Sequence, residues 1–207
     1  MMWNNLTRWI PCGLLLIGLA ASPLLQAKDN DKSADAGTKA EKSDAAKGAV
    51  TVKILSWEEA LGIVKKHKGK VVVLDLWSTS CEPCMKEFPN LVKLHRERGK
   101  DVACVSVSAD YAGSKKKPPE YFKERVLNFL TEQEATFDNV LCNVPSDELF
   151  EQIKLSSIPA VYVFGRDGKL VKRFDSDSAE NLGTNDEAFT YADVNKLVDS
   201  LLKKKGQ

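Results

Sequence analysis

The sequence predicts an α/β fold in which a mixed sheet lies between two layers of helices. Three observations support this prediction. Helical patterns alternate with apolar, β-branched runs in the first part of the chain, which favours parallel strands joined by right-handed crossovers. Residues 160–174 read as a β-hairpin around an Asp-Gly turn, which adds antiparallel strands. Val194, Leu197 and Leu201 stand at helical spacing and predict a closing helix.

The first elements have clear local signals. Ser56 and Glu59 form a capping box, so a helix is expected to begin near Trp57. Residues 70–77 (KVVVLDLW) are apolar and β-branched, as in a central strand covered on both faces, and residues 101–108 (DVACVSVS) predict a second buried strand.

The remaining elements complete a layered order. Pro83 stands where a helix begins, between the two buried strands. Residues 119–134 predict an amphipathic helix and residues 140–142 a short strand, and Ser146 can cap a short helix that carries Leu149, Phe150 and Ile153. The expected order is therefore α-β-α-β-α-β-α-β-β-α, a three-layer α/β/α sandwich whose C-terminal hairpin is followed by a helix.

The amino-terminal segment reads as an export signal. Residues 1–27 contain one base, Arg8, no acid and a long uncharged run that ends in a small residue. This pattern is typical of a secretory signal peptide. A retained membrane anchor over residues 9–27 is the alternative, because 19 uncharged residues can just span a bilayer.

The amino-acid composition predicts a linker before the domain, and the balanced charge of the chain argues against nucleic-acid binding. Residues 28–50 alternate lysines with acids, lack aromatic residues and predict a disordered linker, which leaves residues 51–207 for the domain. The whole chain has 30 Lys plus Arg against 29 Asp plus Glu, so its charge gives no sign of nucleic-acid binding. Export would place the domain where disulfides persist.

The motif Cys-Glu-Pro-Cys at residues 81–84 is the centre of the expected chemistry. Such a pair is half of a zinc site, a redox couple or a short structural disulfide. Cys104 and Cys142 stand alone and supply no second ligand pair, so we expect no metal and no cofactor beyond the redox-active disulfide. A thiolate at a strand-to-helix junction is stabilised by the helix dipole. Cys81 is therefore the expected nucleophile and Cys84 the resolving thiol.

The surroundings of this motif resemble a known family. Residues 75–84 (DLWSTSCEPC), the Ser-Ile-Pro-Ala run at residues 157–160 and the hairpin resemble thioredoxin-fold proteins. The run CMKEFP at residues 84–89 resembles extracytoplasmic thiol–disulfide oxidoreductases of the TlpA/ResA type, some of which keep apocytochrome c cysteines reduced. The resemblance covers roughly residues 52–203. The chain departs from the family at Ser80, where thioredoxins and many relatives have Trp.

The resemblance implies a role for each matching residue. Pro159 matches the cis-proline beside the cysteines, and an extended protein substrate would pair with the backbone of Ile158. Asp75 matches the buried acid that accepts the proton of the resolving cysteine. Glu87 matches an acid associated with the active site, with an exposed helix acid as the alternative. Further substrate contacts are expected from residues that flank the cysteine pair: Trp77, Glu82 and Pro83.

Charge predicts the direction of the reaction. Asp75, Glu82 and Glu87 add negative charge near the thiolate, which favours the disulfide form and makes the pair a reductant. An upstream donor in the membrane or the extracytoplasmic space would then have to return electrons. Two alternatives stay open: a copper carrier, which typically has three residues between its cysteines, and a peroxiredoxin-like peroxidase, which needs Thr and Arg near its cysteine.

Cys104 and Cys142 lie in apolar stretches, as inert buried thiols do. A second disulfide between them is also open, provided that the strand after the third helix lies beside residues 101–108 and brings the two within reach.

Overall fold

The computed structural model describes residues 48–175 and 189–204. The expected export segment, residues 1–27, and nearly all of the expected linker, residues 28–50, lie outside the described residues. The export segment and the domain boundary at residue 51 therefore stay predictions. Within the described part of the chain, no helix is both long enough and apolar enough to cross a membrane.

The described residues form one mixed sheet of six strands. The strands are β1 Lys53–Leu55, β2 Val71–Trp77, β3 Val102–Ser108, β4 Asp138–Cys142, β5 Ala160–Phe164 and β6 Leu170–Phe174. Their order across the sheet is β1-β4-β3-β2-β5-β6. The first four of these pair in parallel, whereas β5 is antiparallel to β2 and β6 is antiparallel to β5. The alternation and the hairpin of the sequence predict this mixed arrangement.

Helices cover both faces of this sheet. The described helices are α1 Trp57–Lys66, α2 Glu82–Arg98, α3 Pro119–Glu132, α4 Ser146–Ile153 and α5 Tyr191–Lys203. Buried side chains of α2, α3 and α5 pack on one face, here called the α2 face, and those of α1 and α4 pack on the other, the α1 face. The fold is therefore the three-layer, thioredoxin-like sandwich that the sequence predicts.

The central strand β2 supplies both cores. All seven of its residues are buried, because strands flank it on both edges and helices cover both faces. Its apolar side chains alternate between the faces, with Val73 and Trp77 on the α2 face and Leu74 and Leu76 on the α1 face. The same alternation directs Asp75 to the α2 face.

Among the elements of the described residues, strand β1 is the one that the predicted order lacks. It has three residues and pairs with β4 alone, with Lys53 opposite Val140 and Leu55 opposite Cys142. Its Lys53 is exposed and its other two residues are half-buried, so no alternation marks it. A strand this short forms because a neighbour offers backbone partners.

The second disulfide considered between Cys104 and Cys142 is wrong, although β4 does lie beside β3. The register pairs Val107 with Val140 and Ser108 with Leu141, which places Cys142 five positions beyond Cys104 along the sheet. An odd offset turns the side chains to opposite faces. Cys104 accordingly packs in the core of the α2 face and Cys142 in that of the α1 face, and both are free, buried thiols.

Candidate active site

The Cys81–Cys84 pair lies where β2 ends and α2 begins. β2 ends at Trp77, and Cys81 is the N-cap residue of α2. Two serines fix the turn between them. Ser78 Oγ accepts from the Ser80 N–H at 3.1 Å and lies 2.8 Å from the Ser80 hydroxyl, while the Cys81 N–H donates to the Ser78 carbonyl. Ser80 therefore contributes to the shape of the turn.

The two sulfurs are joined, with an S–S distance of 2.00 Å. Cys81 is half-buried, whereas Cys84 is only 2% exposed. The Cys84 N–H points at Cys81 Sγ over 3.3 Å, as an unpaired helix N–H does toward an N-cap acceptor. After reduction, this N–H and the helix dipole would stabilise a thiolate on Cys81. The geometry offers one reachable, activated sulfur and one shielded sulfur.

Ile158 and Pro159 come to the same place from the far part of the chain. They precede β5, which pairs antiparallel to β2 with Ala160 opposite Leu76. The Ile158–Pro159 peptide bond is cis, both residues are half-buried, and the Ile158 carbonyl oxygen lies 3.8 Å from Cys81 Sγ. The backbone of Ile158 therefore borders the reachable sulfur, where the sequence resemblance expects an extended substrate to pair.

Asp75 is the buried acid of the site. It is 3% exposed, and the Tyr191 hydroxyl donates to its Oδ2 at 2.5 Å. Burial raises the pKa of Asp75 to about 7; the hydrogen bond from Tyr191 opposes that rise, and repulsion from Glu87 adds to it. A carboxyl that titrates near neutral pH is suited to accept and release a proton.

Glu87 lies in the second turn of α2 and is half-buried, so it is not the freely exposed helix acid of the alternative interpretation. Its Oε2 accepts from Asn90 Nδ2 at 3.0 Å. Burial is the largest cause of the raised pKa values of both Asp75 and Tyr191, and the charge of Glu87 adds to each rise. Glu87 therefore acts on the buried acid electrostatically.

The prediction that Trp77 contacts the substrate is wrong. Its side chain is fully buried on the α2 face, with its ring centroid 4.8 Å from those of Phe88 and Phe129. Trp77 is the last residue of β2, and strand alternation turns it into the core rather than outward. It supports the start of α2 from below and cannot touch a substrate.

Glu82 and Pro83 lie on the surface beside the reachable sulfur. Both are exposed, so they are placed where a docking protein would meet them. Glu82 forms an ion pair with Lys86 one turn later, at 2.9 Å. This cation offsets part of the negative charge that the motif places near Cys81.

Asp110 is a residue of this region that the sequence reasoning missed. Its side chain is fully buried, and its carboxylate accepts hydrogen bonds from the Thr79 N–H at 3.0 Å, the Thr79 hydroxyl and the Ser108 hydroxyl at 2.6 Å. Arg125 donates to the same carboxylate at 2.6 Å. Asp110 therefore ties the turn before Cys81 to the end of β3. The signal available in the sequence is an acid two residues after a buried parallel strand.

Among residues 48–175 and 189–204, no three His, Cys, Asp or Glu side chains form a group that could hold a metal ion. The chemistry described at this site rests on the two sulfurs and the acids around them.

Comparison with known proteins gives a family and named relatives. A family described as thioredoxin-like matches residues 69–170. The thiol–disulfide oxidoreductase ResA of Bacillus subtilis is 31% identical over 108 residues, which are 51% of this chain and 52% of ResA. A ResA of Bacillus thuringiensis is 24% identical over 144 residues, 69% of this chain and 76% of that protein. The chain thus spans about half of the first relative and three quarters of the second.

A solved structure supports the fold independently. The thioredoxin-like superfamily protein SPOA0173 superposes with a TM-score of 0.51 at 15% identity, covering 69% of this chain and 86% of that one. At this identity the likeness concerns the fold alone. The sequence matches and the superposition agree on a thioredoxin-like fold, and in sequence the chain is similar to thiol–disulfide oxidoreductases of the ResA type.

Proposed function

We propose that the protein is an exported thiol–disulfide oxidoreductase that reduces disulfides in protein substrates. The observation that carries the proposal is the unequal environment of the two sulfurs. Cys81 Sγ is reachable and faces the Cys84 N–H at the start of α2, while Cys84 is buried beneath it. One sulfur can meet a partner, and the other can react only inside the protein.

The first step of the proposed reaction takes place at Cys81. Its thiolate attacks one sulfur of a substrate disulfide, and a mixed disulfide forms between the two proteins. The other substrate sulfur leaves as a thiolate. The Cys84 N–H and the dipole of α2 favour the attacking anion.

The second step releases the substrate. The Cys84 thiol gives its proton to Asp75, and the resulting thiolate attacks Cys81 Sγ. The bond to the substrate breaks, the second substrate sulfur leaves as a thiolate, and the Cys81–Cys84 disulfide forms. Two electrons have passed to the substrate. Asp75 returns to its anionic form by releasing the proton.

Substrate binding is proposed for the exposed rim of this site. An extended substrate strand would hydrogen-bond to the backbone of Ile158, beside Pro159 and opposite Cys81. Glu82 and Pro83 would border the substrate on the α2 side. Main-chain pairing of this kind tolerates different side chains, which suits an enzyme that acts on several proteins.

Negative charge supports the direction of electron flow. Asp75 and Glu87 lie on the α2 side of the sheet near the cysteine pair, and Glu82 is only partly offset by Lys86. Acids near the pair destabilise a thiolate and so favour the oxidised enzyme and the reduced substrate. We therefore propose a reductant, with apocytochrome c cysteines as one candidate substrate through the resemblance to the TlpA/ResA type.

The proposed location follows from the sequence of the first residues. The uncharged run over residues 9–27 supports export, as a cleaved signal or as an anchor. Outside the cytoplasm, a reductant needs a dedicated donor, because the surroundings are oxidising. We propose a thiol protein of the membrane or the extracytoplasmic space in that role.

Insulin reduction and trapping test this function together. The wild type is expected to reduce insulin disulfides, and Cys81→Ser is expected to be inactive. Cys84→Ser, expressed in the source cell, is expected to hold its partner as a mixed disulfide that mass spectrometry identifies. Absence of both reduction and trapping would contradict the proposal, as would stoichiometric Cu(I) binding or peroxide turnover without disulfide reduction.

A further inference from the structure

Tyr191 links the last helix to the buried acid of the active site. It is the first residue of α5, it is 3% exposed, and its hydroxyl donates to Asp75 Oδ2 at 2.5 Å. The two residues are 116 positions apart. Tyr191 also lies beyond residues 69–170, the part of the chain that the thioredoxin-like family matches.

The residues opposite Asp75 on the neighbouring strands do not hydrogen-bond to it, which leaves the Tyr191 hydroxyl as its donor among the described residues. On the neighbouring strands, Ser106 of β3 and Val161 of β5 are opposite Asp75, and the Ser106 hydroxyl donates to Asn139 instead. Three titratable groups are coupled to Asp75: Glu87 of α2, Cys104 of β3 and Tyr191 of α5. Beside burial, Tyr191 and Glu87 shift the pKa of Asp75, whereas Asp75 contributes to raising the pKa of Cys104. Cys84 of α2, in the same core, is bound in the disulfide.

Within residues 48–175 and 189–204, Tyr191 is the one side chain that hydrogen-bonds to Asp75, and no cation is paired with the acid. A buried carboxylate without a cation depends on donated hydrogen bonds for its stability. The phenol group supplies that stabilisation without itself ionising, because burial and the charge of Asp75 raise the pKa of Tyr191.

We propose that Tyr191 is a positioning residue for the second step of the reaction: its hydroxyl holds the Asp75 carboxylate in place and stabilises its charge, so that the acid is free to take the proton of Cys84. This inference rests on the proposed function, in which Asp75 has that task. It assigns to the C-terminal helix a part in catalysis that the cysteine motif does not indicate.

The sign of the effect is fixed by the chemistry. A donated hydrogen bond favours the ionised carboxyl and lowers its pKa, against the rise due to burial. Removal of the hydroxyl therefore raises the pKa of Asp75. At neutral pH a smaller fraction of the acid can then accept a proton, so the second step slows while the first step is unchanged.

Tyr191→Phe removes the hydroxyl and keeps the ring, and a single turnover separates the two steps. Reduced protein mixed with dithiobis-nitrobenzoate releases one coloured thiolate on attack by Cys81 and a second on resolution by Cys84. The second phase of Tyr191→Phe is expected to have its pH midpoint about one unit higher, which makes it about fivefold slower at pH 7. Tyr162→Phe is the matched control, because Tyr162 is a buried tyrosine whose ring packs on the α1 face.

The possible outcomes distinguish a failure of the proposed function from a failure of the proposed role of Tyr191. No first phase in the wild type would overturn the proposed function. Two phases in both proteins, with the same midpoint for the second, would overturn the role of Tyr191 alone. Carbon NMR titration of the Asp75 carboxyl in the oxidised proteins gives a readout without activity. Fluorotyrosine at position 191 is a stronger donor, so it should shift the titration to lower pH even if Tyr191→Phe folds poorly.

Discussion

Asp110 and Thr79 follow two neighbouring parallel strands, and two hydrogen bonds from Thr79, through its N–H and its hydroxyl, end on the same buried carboxylate. Thr79 stands two residues before Cys81. The contact therefore ties the end of β3 to the turn that presents the nucleophile.

We expect Asp110→Asn to lower the free energy of unfolding by about 2 kcal/mol, because it weakens hydrogen bonds to a charged acceptor. It should also slow attack by Cys81, because the turn loses part of its anchorage. Urea unfolding and the first phase of the single-turnover assay measure the two effects. Asp138→Asn is the control: Asp138 begins β4, at the other end of the parallel strands, and is paired with His67. Equal rates of attack in both variants would contradict the role of Asp110.

Asp75 is expected to lower stability at neutral pH. Its folded-state pKa of about 7 lies above the ordinary aspartate pKa of 3.8, so the unfolded chain loses the proton first as pH rises. Stability therefore falls between about pH 4 and pH 7 and stays at the lower level above that. Asp75→Asn should remove this loss and be more stable than the wild type at pH 8, by up to roughly 4 kcal/mol.

Urea unfolding of the two oxidised proteins at pH 5 and pH 8 measures this difference, and subtraction removes the contribution of other acids. The same substitution should slow the second step of the reaction, so stability and activity change in opposite directions. A wild type and variant that keep a constant stability difference across this range would contradict the raised pKa.

Trp77→Phe tests the conclusion that this ring is structural. The loss of buried ring surface should lower the free energy of unfolding by about 1–3 kcal/mol. The KM for insulin should be unchanged, because Trp77 is fully buried. Trp57→Phe is a matched variant, since Trp57 is buried on the α1 face against Tyr162. A KM that rises for Trp77→Phe alone would restore Trp77 as a substrate contact.

The ion pair between Glu82 and Lys86 provides a test of direction. Glu82→Gln removes an acid beside Cys81 and should raise the reduction potential, whereas Lys86→Gln leaves that acid uncompensated and should lower it. Both side chains are largely exposed, so each shift should stay below about 20 mV. Equilibration with glutathione and dithiothreitol measures both. Shifts of the same sign in the two variants would show that charge at this pair does not set the potential.

Local signals were sufficient for the framework and for the two cysteines. The run of residues 70–77 has the composition of a strand buried on both faces, and the capping box of Ser56 and Glu59 is present in the structure. The strand-to-helix junction at Cys81 follows from the same local reasoning. Each of these features depends on residues close together in the chain.

Features that depend on distant parts of the chain were beyond local reasoning. β1 exists because β4 offers it a partner, and the Tyr191 hydroxyl reaches Asp75 only after α5 has packed on the sheet. The separation of Cys104 from Cys142 depends on a register that only the coordinates give. Trp77 shows a related limit, because its place beside the motif in sequence says nothing of the face on which it lies.

The antiparallel pairing of β5 with β2 has a consequence for the time at which the proposed active site is complete. The cysteines leave the ribosome about 75 residues before Pro159, and Tyr191 follows later still. A chain that is still being synthesised therefore has its thiols but neither the cis Ile158–Pro159 segment beside them nor the phenol that hydrogen-bonds to Asp75. If the proposed roles of Ile158 and Tyr191 hold, competence for exchange arrives only once α5 has packed, and an incomplete chain should rearrange the disulfides of other proteins poorly.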